Sequence, residues 1–175
     1  AQAIELVRDY LLKAVCHGYS KEARLAMANA SFLAGAAFSN SMVGVVHAIG
    51  HALGGVCHVA HGDAMTILLP TGMLFNRKVC KKEYAKLLLY LAGPEIYVKT
   101  PEEKRADRAI HEVLALRNRL HRLTGIPVTL KEAGVDPASF PEVAKVALND
   151  GAVIVNPRQV TYDAVIRILE VCYGD

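Results

Sequence analysis

Charge is missing from one long part of this chain. No Lys, Arg, Asp or Glu occurs in the 38 residues between Arg24 and Asp63, although the 175-residue chain carries 20 basic and 17 acidic side chains elsewhere. Net charge is also scarce, at +3, and no motif interleaves aromatic with basic residues, which excludes dedicated nucleic-acid binding. Low net charge with 53% hydrophobic residues excludes a disordered chain. Cysteine is sparse: Cys16, Cys57, Cys80 and Cys172 form no CxxC pair, so they read as reduced thiols of a cytoplasmic protein, not as a disulfide framework. A signal peptide is not expected either, because the first segment carries Glu5, Arg8 and Asp9 in place of an apolar run. Period-2 alternation is absent apart from a weak apolar run at Ala152–Val155, and there is no internal repeat. The length suits one domain with a sizeable core, so 1–175 reads as a single all-helical domain.

The uncharged stretch needs testing as a membrane span, which takes about 20 predominantly apolar residues. Leu25 to Phe38 is Ala-rich, contains Asn29 and Ser31, and ends at Ser39-Asn40-Ser41. Met42 to Leu53 holds two histidines and two glycines before Gly54-Gly55. Neither piece is long or apolar enough, so the stretch reads as buried core and no membrane partner is expected.

Helical periodicity and punctuation divide the rest. Ile4, Val7, Leu11 and Val15 mark an amphipathic helix over 2–16 that ends at His17-Gly18. It begins at Ala1 without a capping residue, which leads us to expect a chain cut from something longer. Ser20 suits the N-cap of an Ala-rich helix reaching Phe38, and further helices are expected over 43–53, from Gly62-Asp63 to Asn76, and over 83–91. Thr100-Pro101-Glu102-Glu103 reads as a capping box opening a helix to Thr124, where Gly125 and Pro127 stop it. Short segments follow at 128–133, after Asp136-Pro137 and at 141–148, with a last helix over 161–171. The fold class is an all-α bundle.

Four of the seven histidines, His47, His51, His58 and His61, fall inside the uncharged stretch. His47 and His51 share a helix face, and a turn at Gly54-Gly55 would let the following loop bring His61 beside them. Three converging imidazoles suit Zn, Fe, Ni or Cu. Such histidines can also be satisfied core residues, but four among so few residues, with Cys57 as the stretch's other titratable side chain, favour a site. The zinc-protease pattern H-E-x-x-H fails because Ala48 follows His47, leaving no carboxylate to act as general base. Asp63, the nearest acid, reads as a helix-start residue. His17 reads as a helix C-terminal residue, and His111 and His121 as part of a solvated, arginine-rich face. Cys57 reads as a structural thiol, with soft-metal ligation as its other use.

The segment Gly44, His47, Ala48, His51, Leu53, Gly54-Gly55, His61-Gly62 resembles the signature of the iron-containing (group III) alcohol dehydrogenases. Its flanks are similar too: Leu33 to Asn40 upstream, Ala64 to Pro70 and Phe75-Asn76 downstream, then Thr124 to Val135 and Asn156-Pro157-Arg158. Two departures stand in the motif, Ala60 where the family has Pro and His58 at a variable position. Larger ones lie outside it. The resemblance implies an Asp and a His one helical turn apart as further metal ligands, yet D-x-x-x-H occurs nowhere in the chain, and the family's Gly-rich nucleotide-binding domain is absent.

The resemblance therefore implies the C-terminal helical domain, of dehydroquinate-synthase-like fold, with the N-terminal nucleotide-binding domain as its missing partner. By that resemblance His47 and His61 are metal ligands, His51 faces the nicotinamide and relays a proton, and Phe38 lines the substrate pocket. The implied cofactors are Fe²⁺, or Zn²⁺ or another divalent metal, with NAD or NADP. The implied reaction is metal-polarised hydride transfer between a small alcohol or aldehyde and the nicotinamide. The resemblance leaves a homo-oligomer open, and the 175-residue chain alone is expected to be inactive. Two other readings remain: a non-enzymatic helical module with an all-histidine metal site, and one half of a split enzyme.

Overall fold

The computed structural model describes residues Ala1–Gly174. Among them are nine α-helices and three single-turn 3-10 helices, and no strand. The all-α expectation holds. The helices gather into two compact units, each assembled from two stretches of chain.

The first unit comprises Ala1–Ser41 and Cys80–Thr124. It contains α1 (Gln2–Cys16), α2 (Lys21–Ser41), α5 (Lys81–Ala92), α6 (Pro94–Lys99) and α7 (Arg105–Thr124). Helix α1 lies along α2 and α5, and α5 along α7. What these helices bury is mostly small: Ala23, Ala26 and Ala30 on α2, Ala106, Ala109 and Ile110 on α7, with Leu88 on α5. Alanine rows bring backbones close, but each contributes little apolar area.

The second unit comprises Met42–Val79 and the chain from Gly125 onward. It contains α3 (Val45–Cys57), α4 (His61–Asn76), α8 (Phe140–Leu148) and α9 (Tyr162–Tyr173). Helix α3 is central, contacting both α4 and α8, while α9 packs on α4 and α8. Its Val45, Ile49, Ala52 and Leu53 join Ile67, Leu68, Val143, Val165 and Leu169 in one aliphatic cluster. Close approach is built in at Gly72 of α4, where an added Cβ would stand 2.3 Å from a Val46 methyl.

Several local expectations are corrected. Gly54-Gly55 does not turn the chain: α3 continues to Cys57 and ends at His58, which adopts the left-handed conformation (φ 57°). Glycine costs little in a helix's last turn, and the Leu53 carbonyl there accepts from the His58 and Val59 N–H groups. Thr100 does not open α7, because its hydroxyl donates to the Ile96 carbonyl at the end of α6; a 3-10 turn over Glu102–Lys104 leads into α7 instead. Helix α6 itself is absent from the sequence reading. The run at Ala152–Val155 is a 3-10 turn, capped by Asp150, and not extended chain. Ser20 does cap α2, accepting from the Ala23 N–H, and Thr161 caps α9 in the same way, accepting from the Ala164 N–H.

The uncharged stretch is not uniformly core. Its α3 half is buried, but α2 exposes Leu25, Phe32 and Phe38. Small side chains bury one stripe of α2 and leave the larger ones outward. No single described helix is long and apolar enough to cross a membrane. All four cysteines are free thiols.

Candidate functional site

The histidines come together within the second unit. His47 and His51 stand one turn apart on α3, with ring centroids 5.8 Å apart. His61 completes a triangle, 5.7 Å from each of the other two. It arrives as the first residue of α4, after a connection of only three residues, and not from a long loop. His47 is half-buried, while His51 and His61 are exposed.

Electrostatics differ across the triangle. Burial, and then the neighbouring rings of His51 and His61, hold His47 below the ordinary histidine pKa of 6.5. It is therefore neutral near pH 7, with a lone pair available to a metal. His51 Nδ1 lies 2.7 Å from Asp150 Oδ2. The Asp150 carboxyl sits below the usual aspartate range, chiefly because the Ala152 N–H donates to it, with His51 adding to the effect.

Asp150 was not legible in the sequence. It lies 99 residues from His51, and its one local signal is the Asn149-Asp150-Gly151 turn. The loop that carries it is anchored from below. Buried Asn76 and Asn156 exchange reciprocal amide hydrogen bonds of 2.9 Å. Asn156 Oδ1 also accepts from the Val45 N–H at the start of α3, 3.1 Å away. Arg158 follows, donating to the Phe75 carbonyl and stacking over its ring at 4.2 Å. Loop 150–158 is thus tied to the helix that carries His47 and His51.

The remaining predicted residues scatter. His58 is exposed at the end of α3 and, among the described residues, makes no ring contact with the other three histidines. Cys57 is half-buried with its Sγ 3.2 Å from Ser139 Oγ, as a structural thiol would be. Phe38 belongs to α2 in the first unit, about half exposed at 51%. Asp63 lies in the first turn of α4, where its charge favours the helix dipole without a capping hydrogen bond. His17 is the C-cap of α1, and His111 is exposed on α7.

As a metal site the donor chemistry fits and the donor number does not. Neutral imidazoles suit Fe²⁺ or Zn²⁺. Among the described residues, however, no three His, Cys, Asp or Glu side chains converge to hold an ion. His47 and His61 fit as part of a ligand set and not as a whole one.

The same fold appears in solved dehydrogenases. An alcohol dehydrogenase from Oenococcus oeni superposes with a TM-score of 0.89 at 32% identity, over 98% of this chain and 43% of that one. By its helical architecture the chain is a dehydrogenase-type helical domain. Residues 1–173 match the family described as Fe-containing alcohol dehydrogenase, C-terminal. The chain belongs to that family and corresponds to its C-terminal part. Among curated relatives, the NADPH-dependent butanol dehydrogenase of Clostridium saccharobutylicum is 35% identical over 98% of this chain and 43% of its own length. The 1,3-propanediol dehydrogenase of Citrobacter freundii is 38% identical over 90% of this chain and 39% of its own. The chain thus spans about two fifths of the relatives it matches.

Proposed function

We propose that the chain serves as the metal-binding helical domain of an NAD(P)-dependent alcohol or aldehyde oxidoreductase, working with a nucleotide-binding part. One observation carries this reading: His47, His51 and His61 meet on one face of a chain that matches the dehydrogenase family throughout 1–173. In this reading His47 and His61 are two ligands of a divalent ion, and the remaining ligands come from elsewhere in the protein. When bound, the ion supplies Lewis-acid polarisation of the substrate oxygen. The neutral state of His47 prepares it for that role.

Alcohol oxidation releases a proton together with a hydride. His51, exposed and held on one nitrogen, is suited to carry that proton between the site and water. The all-histidine metal module gains no support, because among the described residues no ring contact joins His58 to the other three histidines.

The test is steady-state turnover with short alcohols and aldehydes, NAD(P)(H), and Fe²⁺ or Zn²⁺. The 175-residue chain alone is expected to show none. Joined to the nucleotide-binding part of the butanol dehydrogenase relative, it is expected to turn over, with activity abolished by His61→Ala. Turnover that survives His61→Ala, or that the isolated chain supports, overturns the reading.

A further inference from the structure

The His51–Asp150 contact is directional, and its geometry sets where the proton lies. Asp150 Oδ1 accepts from the Ala152 N–H at 2.8 Å, which caps the 3-10 turn over Gly151–Val153. Oδ2 is left for His51 Nδ1, 2.7 Å away. A carboxylate has no proton to donate. Were Nδ1 of a neutral ring also bare, two lone pairs would face each other at that distance. The hydrogen therefore sits on Nδ1, and the lone pair of the neutral imidazole moves to Nε2.

We propose that Asp150 is a positioning residue that locks neutral His51 in the Nδ1–H tautomer, so that Nε2 is the nitrogen offered to a proton. Its backbone is held to this task by the Asn76–Asn156 pair and the bond from Val45 N–H to Asn156, which fix the loop against α3. The pair contributes orientation more than stability: the two side chains are 48% and 24% exposed, and such ion pairs are worth little to folding. The use made of Nε2 rests on the function proposed above; the tautomer lock does not.

The experiment is long-range ¹H–¹⁵N correlation NMR on the uniformly ¹⁵N-labelled chain, metal-free, at about pH 8.5, well above the ordinary histidine pKa of about 6.5. The expected His51 pattern in the native chain is Nδ1–H. Asp150→Asn keeps an oxygen for the Ala152 N–H and turns its amide NH₂ toward Nδ1, so it is expected to reverse the pattern to Nε2–H. Asp150→Ser keeps a cap for the turn but cannot reach the ring, and is expected to give a mixture. His47 and His61 signals serve as the fold control in both variants. An Nε2–H pattern in the native chain, or Nδ1–H persisting in both variants, overturns the proposal.

Because no metal, cofactor or substrate is involved, this outcome is separable from the function test. A tautomer that responds to Asp150 in a protein without dehydrogenase activity leaves the lock standing and removes the function. In the joined enzyme Asp150→Asn is expected to lower kcat by about 10²-fold or more with KM little changed.

Discussion

The two units of this chain are built on different packing. In the second unit Ile49, Leu53, Ile67, Leu68 and Leu169 are fully buried in one aliphatic cluster. In the first unit the buried positions are mainly alanines, and α1 buries no residue completely. Burial free energy follows apolar area, so the second unit has the more strongly determined interior. The histidines and Asp150 stand on that unit. A constellation whose geometry matters sits on the helices least free to shift, which is how a site is held to sub-ångström tolerance.

The largest expected effect comes from cutting into the aliphatic core. Leu53→Ala is expected to cost about 3–5 kcal/mol, by lost transfer energy and a residual cavity. Val7→Ala on α1, half-buried, is expected to cost about 1 kcal/mol. Equal shifts of the urea midpoint for the two variants would break the comparison.

Next comes the asparagine pair. Asn156→Ala strips a partner from Asn76 and from the Val45 N–H, an expected loss of about 2–3 kcal/mol, since buried polar groups left alone cost their full desolvation. Denaturation measures that loss, and displaced His51 resonances are expected to accompany it because the Asp150 loop is released. An unmoved His51 would separate the site from this clamp.

Glycine replacement separates the units by sign. Gly72→Ala drives a Cβ into the β-branched Val46 side chain, which has little rotamer freedom, and is expected to destabilise by about 1–3 kcal/mol. Gly35→Ala on α2 meets only the Phe38 ring at 4.0 Å and is expected to stabilise by about 0.5–1 kcal/mol through helix propensity. Thermal midpoints that move the same way for both would erase the contrast.

The smallest effect is a pH slope. His47 binds protons less readily when folded than when unfolded, because burial and two neighbouring imidazoles disfavour its charge. The unfolded state therefore holds more protons between the lowered value and about 6.5, and stability falls as pH drops through that window. Denaturation at about pH 7.5 and about pH 5.5 is expected to show the loss, with a shallower slope in His47→Asn. An identical slope in the variant would show that this ring does not carry it.

Much of this was legible residue by residue. The face shared by His47 and His51 follows from their spacing, and the Ser20 cap from a side chain that satisfies a backbone donor three residues away. Resemblance added the pairing of His47 with His61 as ligand positions. Where local reading erred, a tertiary or neighbouring interaction intervened: Thr100 bonded backward to α6, and Gly54-Gly55 stayed helical.

By itself the sequence determined the all-helical class, most of the helices, the Ser20 cap and the family, because each depends on contacts within a turn or on a motif. Only the tertiary structure decided which acid meets His51, how Asn76 and Asn156 close on each other, and how the helices divide into two units. Those contacts join residues 80 to 111 positions apart. Spacing along a helix carries no information about them; the packing of α3 against its neighbours does.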